Sequence, residues 1–79
     1  SAPIRVFPNP TSGLVQIEVP QGAHQLQVFD AMGKTVYQQV ATRAAYSVNL
    51  GQLPQGIYWM SISLPNQMPV FNQKLIINK

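Results

Sequence analysis

One imidazole, two carboxylates and no thiol make up the reactive inventory of this chain: His24, Glu18 and Asp30 in 79 residues, with no cysteine. A hydrolase working through paired carboxylates would have to use Glu18 and Asp30 themselves. Asp30, however, opens the stretch Asp30-Ala31-Met32-Gly33, where Asp at the first position and Gly at the last mark a type I turn. A Ser-His-Asp arrangement is possible by count, but no Gly-x-Ser-x-Gly elbow is present to expose a nucleophile. His24 stands in the polar stretch Gln21-Gly22-Ala23-His24 and reads as a solvated loop residue. One imidazole and two separated carboxylates do not make a transition-metal site, nor do they cluster the oxygens that calcium needs. Enzyme, metal and cofactor chemistry are set aside, and recognition by surface remains.

The charge content points the same way. Only 9% of residues are charged, against about 25% in ordinary soluble domains, while 46% are apolar. The chain therefore has material for a core and covers it with Gln, Asn, Ser and Thr. Its net charge of +3 rests on Arg5, Lys34, Arg43, Lys74 and Lys79, which form no run able to track phosphates, so nucleic acid is not an expected partner. Without cysteine there is no disulfide, and stability must come from packing. No apolar run approaches the ~20 residues that span a bilayer, so no membrane insertion is expected. No basic segment followed by an apolar one opens the chain, which places any export signal elsewhere. Residues 1–79 read as a single domain cut from something longer, with 1–3 a linker or cut edge.

The elements that must carry such a surface are strands. Val15, Ile17 and Val19 alternate with Gln16 and Glu18; Leu26 and Val28 with Gln25 and Gln27; Tyr46, Val48 and Leu50 with Ser47 and Asn49; Tyr58, Met60 and Ile62 with Trp59, Ser61 and Ser63. This period of two puts one face of each strand in a core. No stretch has the spacing of an amphipathic helix over three turns. Seven strands are expected: Ile4 to Phe7, Leu14 to Val19, Gln25 to Phe29, Thr35 to Val40, Ala45 to Leu50, Ile57 to Leu64 and Val70 to Ile77. Spacing of about ten residues with turn chemistry between them predicts an all-β fold, a two-sheet β-sandwich. In Asn9-Pro10-Thr11-Ser12-Gly13, Pro10 fixes its own φ, holds Asn9 extended, and leaves Gly13 to take a positive φ.

Two aromatic positions stand out. Tyr58, in Leu53-Pro54-Gln55-Gly56-Ile57-Tyr58, fits a tyrosine corner, in which the hydroxyl turns back onto backbone a few residues upstream; the alternative is a core ring whose hydroxyl reaches water. Trp59 is out of phase with Tyr58 and Phe29 with Val28, so both are expected on an outer face. Such a pair is a candidate patch for a glycan or protein ligand.

Four blocks, in order, resemble the type A C-terminal sorting domain of the type IX secretion system of Bacteroidota: Val6-Phe7-Pro8-Asn9-Pro10-Thr11-Ser12-Gly13, Leu26-Gln27-Val28-Phe29-Asp30-Ala31-Met32-Gly33-Lys34, Leu53-Pro54-Gln55-Gly56-Ile57-Tyr58, and Lys74-Leu75-Ile76-Ile77-Asn78-Lys79. The resemblance spans essentially the whole chain. It implies a compact Ig-like sandwich without catalytic activity, an address label for an N-terminal passenger protein. The passenger would cross the inner membrane by the Sec route and transit the periplasm. An outer-membrane translocon would then recognise the label, a sortase-like peptidase would usually remove it, and the passenger would reach the cell surface or the medium.

Carried over position by position, the resemblance assigns Pro8, Asn9, Pro10 and Gly13 to the opening block, Asp30, Gly33 and Lys34 to the central turn, and Gly56 and Tyr58 to the corner. These read as fold determinants, each supplying a turn or a tie. Lys74, Leu75, Ile76, Ile77 and Lys79 match the terminal strand that the family links most closely to export. A terminal strand can expose an unpaired backbone edge to which a receptor adds a strand. The competing reading is that Leu75 and Ile77 fill the core while Lys74 and Lys79 guard the edge. Two departures from the family pattern are Trp59, where an aliphatic residue is usual, and the proline-bracketed loop Pro65-Asn66-Gln67-Met68-Pro69.

Overall fold

The computed structural model describes residues 3–65 and 69–79. The alternation of apolar and polar residues resolves into seven strands: β1 (Arg5–Phe7), β2 (Leu14–Glu18), β3 (His24–Phe29), β4 (Thr35–Ala41), β5 (Ala45–Asn49), β6 (Gly56–Ser63) and β7 (Pro69–Ile77). Each lies within one residue of its expected ends. Residues 66–68 of the proline-bracketed loop lie outside the described residues. Pro69 takes the first position of β7, where a missing N–H is tolerated.

The strands form two antiparallel sheets, one in the order β1-β2-β5 and the other β4-β3-β6-β7. The apolar members of each alternation fill the space between them: Val15, Ile17 and Val48 from the first sheet, and Leu26, Val28, Met60, Ile62, Leu75 and Ile77 from the second, are all buried. The out-of-phase residues lie on the outer faces, as their periodicity requires, and of those in β6 Ser61 is nevertheless buried.

The structure corrects the reading of His24. It is buried at 2% exposure and begins β3. Its Nδ1 lies 2.5 Å from the Gly22 carbonyl and its Nε2 2.7 Å from the Tyr46 hydroxyl. The carbonyl can only accept, so Nδ1–H donates to it, while Nε2 shares a hydrogen bond with the Tyr46 hydroxyl. The two rings stack at 5.6 Å. His24 belongs to β3 and Tyr46 to β5, so the contact ties one sheet to the other.

A second tie lies at the crossover from β5 to β6. The Tyr58 hydroxyl donates to the Pro54 carbonyl at 2.6 Å while its ring is buried, which is the corner contact and not the water-facing alternative.

Candidate recognition surface

The strand registers place all four motif blocks at one end of the sandwich. Phe7 pairs with Gln16 and Leu14 with Asn49, so the opening block sits where β1 ends and β2 begins. Phe29 pairs with both Thr35 and Trp59, which puts the Asp30 turn beside the start of β6. Gly56 pairs with Ile77, bringing the corner next to the end of β7.

Local chemistry accounts for each block. The Asp30 carboxylate accepts the backbone N–H groups of Met32 and Lys34 at 2.9 and 3.0 Å, while Gly33 bonds back to the Asp30 carbonyl and takes φ +85°. This carboxylate is thus committed to a turn. The other one, Glu18, pairs with Arg5 at 3.2 Å on the surface. Gly13 is required twice over: its φ is +147°, and an added Cβ would lie 2.9 Å from the Gly51 Cα.

The opening and terminal blocks are stitched together. The Asn9 side chain behaves like a short piece of strand, donating from Nδ2 to the Lys74 carbonyl at 2.7 Å and accepting the Ile76 N–H on Oδ1 at 3.0 Å. Thr11 continues the pairing: its N–H bonds the Ile76 carbonyl at 2.9 Å and its carbonyl takes the Asn78 N–H at 2.8 Å. The buried Thr11 hydroxyl accepts the Gly13 N–H and donates to the Leu14 carbonyl, holding the segment's curve. Lys79 then reaches the Gly51 carbonyl at 2.6 Å.

This overturns the expected open edge along Lys74 to Lys79. The outward backbone groups at Ile76 and Asn78, and the Lys74 carbonyl, are already bonded. Leu75 and Ile77 are fully buried, so of the five terminal positions only Lys74, Ile76 and Lys79 reach the surface. Thr11 was not singled out from the sequence; no local pattern foretells its bond to a strand some 65 residues later.

Among the described residues, four of the six exposed large apolar side chains also lie at this end: Leu14, Met32 at 91% exposure, Ile57, and Trp59 at 49%. Phe29 and Trp59 are direct cross-strand neighbours on the outer face, with Lys74 opposite Trp59 on the next strand. Among the described residues no three of His, Cys, Asp and Glu come together. The arrangement offers contact surface and no reacting group.

A family model described as the secretion system C-terminal sorting domain matches residues 5–78. The chain belongs to that family. It is a C-terminal sorting domain of the type IX secretion system, recognised by the system's translocon, and the family is a non-catalytic secretion signal. Such domains work with the secretion machinery on an N-terminal passenger, which is carried across the outer membrane to the surface or medium. Comparison with curated proteins gives no match.

Proposed function

We propose that the translocon reads this sorting domain at its motif-bearing end, through exposed apolar residues framed by Lys34, Lys74 and Lys79. The observation that carries this reading is the gathering of all four motif blocks and of Leu14, Met32, Ile57 and Trp59 at one end. Exposed apolar groups concentrated on one region are the usual mark of a protein contact. Pro8, Asn9, Pro10, Gly13, Asp30, Gly33, Gly56 and Tyr58 then serve as the frame that shapes this end, and Leu75 and Ile77 support it from the core. Residues 1–79 act as one sorting domain, with a sortase-like peptidase removing it after passage through the periplasm and the outer membrane. The strand orders β1-β2-β5 and β4-β3-β6-β7, with the Tyr58 tie at the crossover from β5 to β6, support an Ig-like Greek-key arrangement.

The test is export of a fluorescent reporter fused to residues 1–79 behind a Sec signal, in a bacterium that has the system. The double variant Met32→Ser, Ile57→Ser should leave the reporter in the periplasm while the wild-type fusion is exported; wild-type export by the variant would sink the assignment of this end. The adjacency of Phe29 and Trp59 also favours a second reading, an adhesive or carbohydrate-binding patch. Under that reading Trp59→Ala abolishes ligand binding and leaves export unchanged.

A further inference from the structure

The two flanks of the sandwich are finished differently. On one flank the segment from Asn9 to Thr11 pairs with the edge of β7 and closes it over Lys74 to Asn78. On the other flank β4 is the last strand of its sheet, and among the described residues nothing pairs with its outer side. A groove of about 710 Å³ runs there between β4 and β5, lined by Gln39, Val40, Ala41, Arg43, Tyr46 and Ser47.

The polarity of the sheet fixes which groups β4 presents. Ile76 turns its backbone outward to Asn9 and Thr11, so Gln73 and Leu75 face β6. Alternation through the registers Met60↔Gln73, Gln27↔Ser61 and Leu26↔Gln39 then leaves the N–H and C=O of Gln38 and Val40 pointing away from β3. The strand Thr35–Ala41 contains no charge and no proline, and the Val40 side chain is 74% exposed. Natural edges are usually blunted by charge, proline or a covering segment, and this one is not. The cations that flank it are Lys34 just before the strand and Arg43 just after it, and among the described residues neither is in an ion pair.

We infer that β4 accepts an added strand from the secretion machinery: an extended segment of about seven residues, uncharged at its centre, with an apolar side chain over Val40 and acidic residues at its ends to meet Lys34 and Arg43. This deepens the sorting function and rests on it. Backbone pairing explains how a shared receptor can grip a surface that has few charges to read, since the contact is made through Gln38 and Val40 main-chain groups. The added strand would close the open flank much as Asn9 to Thr11 closes the other.

The reporter fusion supplies the test, with two single variants. Gln38→Pro removes an outward N–H that no strand of the domain uses, and Val40→Lys places a charge on the edge. Both should lower the exported fraction at least tenfold, while each purified variant domain keeps a cooperative melt. If Gln38→Pro proves unfolded, Val40→Lys decides alone, because an exposed side chain on an edge strand tolerates lysine. Wild-type export by a folded variant overturns the inference. Retention of the wild-type fusion in the periplasm would instead defeat the sorting function itself. A concentration-dependent dimer of the 79-residue chain that Val40→Lys dissociates would overturn it too, by naming a second copy as the occupant.

Discussion

Tyr58 and Tyr46 each tie one part of the sandwich to another through a single hydroxyl, and they lend themselves to different measurements. The Tyr58 hydroxyl has one partner, the Pro54 carbonyl at 2.6 Å. Tyr58→Phe keeps the buried ring and should lower unfolding free energy by about 1 kcal/mol in a denaturant titration, the net worth of one such bond. An unchanged midpoint would mean the bond contributes nothing. Tyr46 is pushed up to about 12 from 10.0, first by burial and then by the neighbouring Tyr37. The fold favours its protonated form, so its contribution is fully present below pH 10 and fades as pH rises towards 12, where the unfolded chain has already released its proton. Between those limits wild-type stability should fall more steeply with pH than that of Tyr46→Phe. Parallel pH profiles would contradict this.

Among the elements, what was legible in the sequence depended on how local its cause was. Strands whose alternation runs through their length, such as β3 and β5, could be placed from the residues alone, because one buried face dictates a period of two. The Asp30 turn was equally readable, since its hydrogen bonds stay within five residues. His24 was misread because its partner, Tyr46, is 22 residues away and its neighbours are polar. A usable signal was present: His24 is in phase with Leu26 and Val28. The closure of β7 was hidden for the same reason, as Asn9 and Thr11 work through bonds made across almost the full chain. Asn9→Ala removes two of those bonds. The Ile76 amide should then exchange its hydrogen markedly faster in deuterium-exchange measurements, with the β3 amides unaffected; unchanged protection at Ile76 would show that Thr11 alone holds the edge.

For the whole molecule, the scarcity of charge is matched by how its few charges are used. Both side-chain carboxylates are occupied, one in a turn and one with Arg5, and among the described residues this leaves the cations Lys34, Arg43 and Lys74 for outside contacts. The terminal block is different in kind, because Leu75 and Ile77 are core residues. A chain lacking Lys74 to Lys79 should therefore be unfolded, seen as loss of a cooperative melt in circular dichroism. Failure of that chain to be exported would report the missing fold before it reported a missing contact. A truncated chain that still melts cooperatively would show the other strands to be self-sufficient.

The stitch between Asn9, Thr11 and the end of β7 also has a meaning in time. A chain synthesised from its N-terminus presents Asn9 first and its partners at Lys74 and Ile76 some 65 residues later. Until they arrive, the core lacks Leu75 and Ile77 and the bonds of Asn9 and Thr11 to β7 cannot form. The sandwich can be complete only when its last strand has been made. A passenger whose synthesis or transit stops short would carry no finished address, so the same bonds that close a sheet edge also certify that the delivery is whole.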